Sequence, residues 1–374
     1  MQVSDVIVIG AGMAGASAAA LLAQHMRVTV LEAEGRPGYH TTGRSAATFI
    51  ENYGAPLVRA MTRASRAFLM SPPSGFSDGP LLGDRGLIYA AMADELDHLD
   101  AELAAAQGMQ RLEPEAFTQL VPALKGGPVV AAGYEPGAKD MDVDRIHQGF
   151  LRLLRQRGGQ VICDARVDAV RRDSEGHWRV SAGNDSFSAP VLVNAAGAWG
   201  DVVASLAGVA PLGLQPLKRS VAIVEVSGAV PVDPAWPLVG GVAGNWYCKP
   251  EQSRLLVSPA DEVPSEPCDA YPEDLDLAVG IDRMQTALGF EVKRLHHSWA
   301  GLRTFAPDRN LVNGFDPDHA GFYWLVGQGG YGIQTGPAMA AVAAANISGS
   351  TLPEAVVGAG VDVDALSPAR LRAI

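Results

Sequence analysis

Unbroken apolar runs, small-residue turns and amphipathic stretches alternate along this chain, and the sharpest such unit comes first. Val6, Ile7, Val8 and Ile9 form a continuous apolar run, as expected of a parallel strand buried on both faces. It leads directly into Gly10-Ala11-Gly12-Met13-Ala14-Gly15 and an alanine-rich helix (Ala14, Ala16, Ala18, Ala19, Ala20, Ala23) that can press against a sheet. A second strand, Val28 to Leu31, ends in Glu32-Ala33. Pro56 then opens an amphipathic helix with Leu57, Met61, Ala64 and Phe68 on one face, and Pro72-Pro73 closes it. A strand at Leu87 to Ala91 and a helix from about Asp94 to Gln107 lead into a connector rich in proline and glycine.

The second half repeats the alternation. A capped helix is expected over Asp144 to Gln156, ended by Gly158-Gly159, with strands at Gln160 to Cys163 and Arg166 to Val170 and a hairpin turning at Ser174-Glu175-Gly176. Val191 to Asn194 reads as another apolar strand, ending in the small-residue turn Ala195-Ala196-Gly197. From Leu217 to about Val292 the runs become β-rich (Val221 to Val226, Asn245 to Lys249, Leu255 to Ser258), with one helix opened by Pro272. Phe322 to Val326 is a last apolar strand, and the glycine-dense stretch Gly327 to Thr335 precedes a helix expected from about Pro337 to Ile347. The pattern predicts a mixed α/β fold: a Rossmann-like domain from 1–80, 140–216 and 293–374, with an inserted, mainly antiparallel β-sheet domain from 81–139 and 217–292 that holds the substrate.

The opening unit carries specific chemistry. Gly10 allows the tight turn, Gly12 lets backbone approach a pyrophosphate, and Gly15 lets helix and strand touch. The helix N-terminus presents N–H groups to the phosphates. Glu32 can accept from both ribose hydroxyls and would repel a 2′-phosphate, which favours FAD or NAD over NADP. The Gly330 to Thr335 segment aims a second glycine turn into a helix N-terminus, again a site for an anion or an electron-rich ring.

Composition narrows the partners. The formal net charge is -12, and no basic run offers a surface for nucleic acid or anionic membrane. The three cysteines, Cys163, Cys248 and Cys268, show no C-x-x-C and no zinc-like spacing with histidine, so no metal and a reducing compartment are expected. No apolar run is long enough to span a membrane, and the first strand begins at once, leaving no room for a signal peptide; a soluble cytoplasmic protein is expected.

Several blocks resemble the FAD-dependent D-amino acid oxidase superfamily: the opening glycine motif, the Thr41 to Ala46 loop, Asn194 to Trp199, Trp299 to Arg303 and Gly329 to Thr335. Within it the chain is most similar to the bacterial FAD-dependent D-arginine dehydrogenases, along nearly its whole length. The resemblance implies a non-covalent FAD. Gly10, Gly12, Ala14, Gly15, Glu32 and Ala33 would hold its nucleotide, Thr41, Thr42, Gly43, Arg44, Ser45, Ala46 and Thr48 would wrap pyrophosphate and flavin, and Val167 would lie beside the adenine. Ala196 and Gly197 would grip from a second side, and Gly330, Gly332, Ile333, Gln334 and Thr335 would meet the flavin pyrimidine edge.

Hydride transfer from Cα requires the substrate carboxylate to be clamped, and a forked guanidinium does this bidentately. Arg303 is the first choice and Arg219 the second. By similarity Tyr53, Tyr247 and the backbone at Gly332 complete the pocket. Two positions depart from the pattern: Leu87 stands where the arginine enzyme has a glutamate for the substrate guanidinium, and Thr48 where it has a histidine. An apolar Leu87 cannot compensate a buried cation. The expected activity is therefore oxidation of D-amino acids with neutral or apolar side chains to imino acids, which hydrolyse to 2-oxo acid and ammonia. A quinone, dye-like or protein electron acceptor is expected, and an oxidase is not excluded. The same clamp would serve a 2-hydroxy acid or an N-methyl amino acid, and a non-catalytic flavin-binding module is the alternative of another class. Glu51 is a further carboxylate that could reach a substrate cation, although a solvated loop position is the simpler reading.

Overall fold

The run Val6–Ile9 lies inside a six-stranded sheet, between Val28–Leu31 and Val191–Asn194, with which it is in parallel register. The computed structural model describes residues 1–372. Gln160–Ile162 extends the sheet on one side and Phe322–Val326 on the other, both parallel, and only Val312–Phe315 runs antiparallel at the edge. All four residues of Val6–Ile9 and of Val28–Leu31 are buried, as strands covered on both faces must be. The alanine-rich helix Met13–Leu22 and the helix Gly332–Ser348 pack against each other over this sheet, where small side chains allow close approach.

A nine-stranded, mainly antiparallel sheet forms the second body, with one parallel pair between Leu87–Ala91 and Leu238–Gly241. Its longest pairing joins Gln215–Ser227 to Glu291–Phe305. The expected return point at 293 falls inside that second strand, because hydrogen bonding to a partner some 75 residues earlier decides its sheet. Two further sheets are small, one of four strands and one of three.

Three local expectations are corrected. The helix expected from Pro337 starts at Gly332, with Pro337 inside it. The amide next to the proline, Ala338 N–H, bonds to Ser65 Oγ at 3.1 Å, so tertiary contact tolerates a residue that would otherwise mark a start. The strand expected at Arg166–Val170 is Ala169–Arg172, which leaves Arg166 and Val167 in a loop facing a cavity. The proline- and glycine-rich connector contains Gln110–Leu112, Pro114–Leu120 and Ala131–Glu135, the two strands belonging to the nine-stranded sheet. Among the described residues no helix is long and apolar enough to cross a membrane.

Candidate functional site

Two cavities, of about 410 and 590 Å³, meet at a wall made by Ser45, Ala46, Arg219, Tyr247, Arg303, Gly330 and Ile333. The first begins at the C-terminal end of Val6–Ile9. Gly10 has φ +101°, and a Cβ there would come within 2.5 Å of Ala195 O. A Cβ on Gly15 would lie 1.9 Å from Gly10 O, so this glycine sets the helix–strand approach and does not itself reach the cavity wall. Glu32 accepts the Ala11 N–H at 2.8 Å and the Glu34 N–H at 3.0 Å. Each oxygen keeps lone-pair capacity for a ligand hydroxyl.

Ala33, Gly12, Ala14, Thr41, Thr42, Arg44, Val167, Ala196 and Gly197 all line this first cavity. Not every helix N-terminal amide is available to a phosphate, because Met13 N–H is already held by Thr42 Oγ1 at 2.9 Å. Gly43 and Thr335 reach neither wall: Gly43 N–H closes the loop onto Gly38 O and Thr335 Oγ1 bonds to Tyr331 O. Arg44 fastens the loop to the strand Glu291–Phe305 by donating to Ala300 O at 3.0 Å, and Trp299 Nε1 donates back to Arg44 O. Thr48 and Gln334 line only the second cavity. Gln334 clamps Ile50 by accepting its N–H at 3.1 Å.

His147 is a contributor that sequence pattern did not reveal. It is buried in the helix Val143–Gln156, and its Nε2 lies 2.8 Å from Ala11 O, where a carbonyl can only accept, so the ring nitrogen carries the proton. Burial holds its pKa below the ordinary histidine value. A depressed folded-state value contributes stability above the unfolded pKa that is lost as pH falls through the folded one. Thermal unfolding of the wild type is therefore expected to drop between pH 7.5 and pH 5 more than that of His147→Gln. Parallel pH profiles for the two proteins would show that His147 does not titrate as argued.

The guanidiniums are brought together by register. Arg219 pairs with Gly301 and Leu217 with Arg303, so the two arginines stand on the same face of adjacent antiparallel strands, one diagonal step apart. Arg219, 9% exposed, donates Nε to Asp261 O at 2.7 Å and lies 3.4 Å from Glu262. Burial, and after it the Arg303 charge, bring its pKa below the usual arginine value. Arg303 donates to Tyr53 Oη at 3.3 Å and has no carboxylate within 4 Å among the described residues. Burial alone would raise the Tyr53 phenol, but the positive charges of Arg303 and Arg219 outweigh it and leave its pKa lowered. Tyr331, stacked edge-on against Tyr53, is pushed up to about 12, chiefly by burial.

Polar atoms without partners point to a ligand. Tyr247 Oη, Thr304 Oγ1 and Gln328 Nε2 are buried with no hydrogen-bond partner among the described residues, and all three residues line the first cavity. Buried polar groups are nearly always satisfied, so these three mark where a bound molecule completes the bonding. Leu87, 1% exposed, lines the second cavity with Ile50, Tyr89 and Leu238. Glu51 lines neither cavity and is ion-paired with Arg66, so it offers no substrate cation site. Gly332 lines the first cavity only. Cys248 is buried, which raises its thiol pKa and leaves it inert.

Known proteins share this arrangement of sheets. The model of the family described as FAD dependent oxidoreductase (DAO) matches residues 5–346. Human mitochondrial dimethylglycine dehydrogenase is 26% identical over 148 residues, which is 40% of this chain and 17% of that protein. The glycine oxidase of Geobacillus kaustophilus superposes with a TM-score of 0.83 at 20% identity, covering 98% of each chain. The L-proline dehydrogenase of P. horikoshii superposes with a TM-score of 0.81 at 21% identity, covering 100% of this chain and 98% of that one.

Proposed function

The chain belongs to the FAD dependent oxidoreductase (DAO) family and takes FAD as its cofactor, and from that premise we propose that it oxidises D-amino acids with neutral, apolar side chains to imino acids. Water then converts these to the 2-oxo acid and ammonia. The observation that carries this reading is Arg303, a guanidinium on the wall shared by both cavities with no carboxylate partner among the described residues. A largely buried cation without a counter-ion is costly unless a ligand anion completes it. The forked geometry suits a carboxylate.

The first cavity fits a dinucleotide: the Gly10 cradle excludes any side chain, Glu32 retains acceptor capacity, and unpartnered Thr304 and Gln328 atoms await a polar ligand. When bound there, FAD supplies the acceptor for the two electrons that leave Cα as hydride. The rest is the work of the chain. Arg303, seconded by Arg219, holds the substrate carboxylate, while the Tyr53 and Tyr247 hydroxyls lie beside it. The two carboxylates that line the second cavity are engaged, Asp261 by Ser220 and Glu262 by Arg219 and Arg309, so the amine gives its proton to water. Two nearby guanidiniums disfavour an ammonium and assist that loss.

Leu87, Ile50 and Leu238 offer the side chain an apolar surface. We take the bacterial D-arginine dehydrogenases as a pattern for this chain, with the cationic preference lost through Leu87. A dehydrogenase passing electrons to a quinone, dye-like or protein acceptor fits that pattern. Anaerobic mixing of the holoenzyme with D-leucine, D-phenylalanine, D-methionine and D-arginine tests the reading through bleaching of flavin absorbance. The first three are expected to bleach the flavin at least tenfold more efficiently than D-arginine. Preference for D-arginine would overturn the Leu87 argument, and bleaching by sarcosine or D-2-hydroxyglutarate alone would overturn the D-amino acid reading.

A further inference from the structure

The second cavity is larger than a small free amino acid needs: about 590 Å³ lies in the range of drug-sized ligands. Its charges show what else it could hold. Five charged side chains line it: Arg219, Arg303, Arg283, Asp261 and Glu262. Both acids are already engaged. The Asp261 carboxylate accepts Ser220 N–H at 2.7 Å and Ser220 Oγ–H at 2.8 Å, and Glu262 pairs with Arg309 at 2.9 Å and with Arg219 at 3.4 Å. Two guanidiniums remain without an acid among the described residues, Arg303 and Arg283.

Arg303 stands on the wall shared with the first cavity, and Arg283 lines the second cavity alone. Leu238 pairs with Leu87 at one end of their strands, and Gly241 pairs with Ala90 at the other. At about 3.3 Å per residue the ends are roughly 10 Å apart. The first end is apolar. The second carries Arg283, whose Nη1 donates to the backbone carbonyl of Asn245 at 2.6 Å. Arg283 lines the cavity at this end, and its remaining guanidinium donors have no protein acceptor among the described residues.

We propose that Arg283 forms a second anion subsite, and that the substrate is a secondary amine: a D-amino acid with an apolar side chain whose nitrogen carries an arm ending in a carboxylate. This rests on the reading of Arg303 given above. Cα offers four directions. The hydrogen leaves as hydride, the α-carboxylate goes to Arg303, and the side chain goes to the apolar end at Leu87. Only the nitrogen is left to carry a group toward Arg283. In the reaction the secondary ammonium first loses a proton to water. The Cα hydrogen then leaves with two electrons to the flavin while the nitrogen lone pair closes the C=N bond, and water addition releases the 2-oxo acid and a primary amine bearing the acid arm in place of ammonia.

The test compares the holoenzyme and Arg283→Leu on D-leucine, N-propyl-D-leucine, N-(2-carboxyethyl)-D-leucine and D-glutamate. The diacid is expected to exceed N-propyl-D-leucine at least tenfold in kcat/KM, mainly through KM, and this ratio should fall to about one in Arg283→Leu and only partly in Arg283→Lys. Calorimetry with N-(2-carboxyethyl)-2-aminoisobutyrate, which has no Cα hydrogen to lose, reads binding without turnover. It should bind at least tenfold more weakly to Arg283→Leu. Equal use of the diacid and its N-propyl analogue overturns the subsite while turnover of D-leucine leaves the amine-oxidation reading standing. Preference for D-glutamate overturns the placement of the acid on nitrogen. If no compound is turned over, the amine-oxidation reading fails, and unchanged calorimetric affinity then overturns the subsite as well.

Discussion

Arg303→Ala is expected to lower kcat/KM for a D-amino acid by about a thousandfold while the protein keeps its yellow colour. Truncating one partner of a buried charge pair costs roughly 2–5 kcal/mol, and about 4 kcal/mol corresponds to three powers of ten. The loss should fall on both kcat and KM, since a loosely held carboxylate leaves Cα poorly aligned. Flavin content should persist, because the nucleotide turn around Gly10 and Glu32 does not contact Arg303. Stability should hold or rise, because the substitution removes a cation that stands beside Arg219 with no acid of its own. Arg303→Lys keeps a charge but not the fork, and an intermediate loss is expected. Steady-state kinetics with thermal melts would decide it, and a loss below tenfold would show that another group carries the carboxylate.

Gly15→Ala is expected to yield protein with less than about a tenth of its flavin sites filled. The added Cβ would sit 1.9 Å from Gly10 O, a backbone atom that cannot swing aside. Relief requires the helix Met13–Leu22 to move off the strand, which carries Gly12 and Ala14 away from the phosphate position. Overpacking of this kind costs about 1–3 kcal/mol or more, so a lower melting temperature should accompany the loss. Gly137→Ala is the control: its φ is ordinary and nothing lies within 4 Å of the added atom. The ratio of flavin to protein absorbance in the two purified variants measures the effect. Full flavin content in Gly15→Ala would mean that the close crossing is not what shapes the nucleotide site.

Much of the six-stranded sheet and its covering helices was legible as sequence because its signals are local. The strands Val6–Ile9 and Val28–Leu31 and the glycines between them sit within one βαβ unit, where apolar period, turn chemistry and helix start agree. The helix Gly332–Ser348 shows where local rules fail. Pro337 reads as a helix start, yet Gln334 bonding Ile50 and Ser65 receiving Ala338 N–H hold a turn of helix ahead of it. Neither partner is within 250 residues in the chain.

The same contrast runs through the site. Arg303 and Glu32 could be singled out from neighbouring motifs, and both line the cavity. His147 under Ala11, 136 positions away, could not, and neither could the Arg283–Asn245 pair. What the order of residues determines alone is the βαβ unit from Val6 to Leu31 and the glycine turn within it, since these depend on backbone freedom and on side-chain period over a few residues. Which guanidiniums share a face, which acids they are denied and which polar atoms are left unpaired only the tertiary structure decides, because strand register and burial join residues that no local pattern relates.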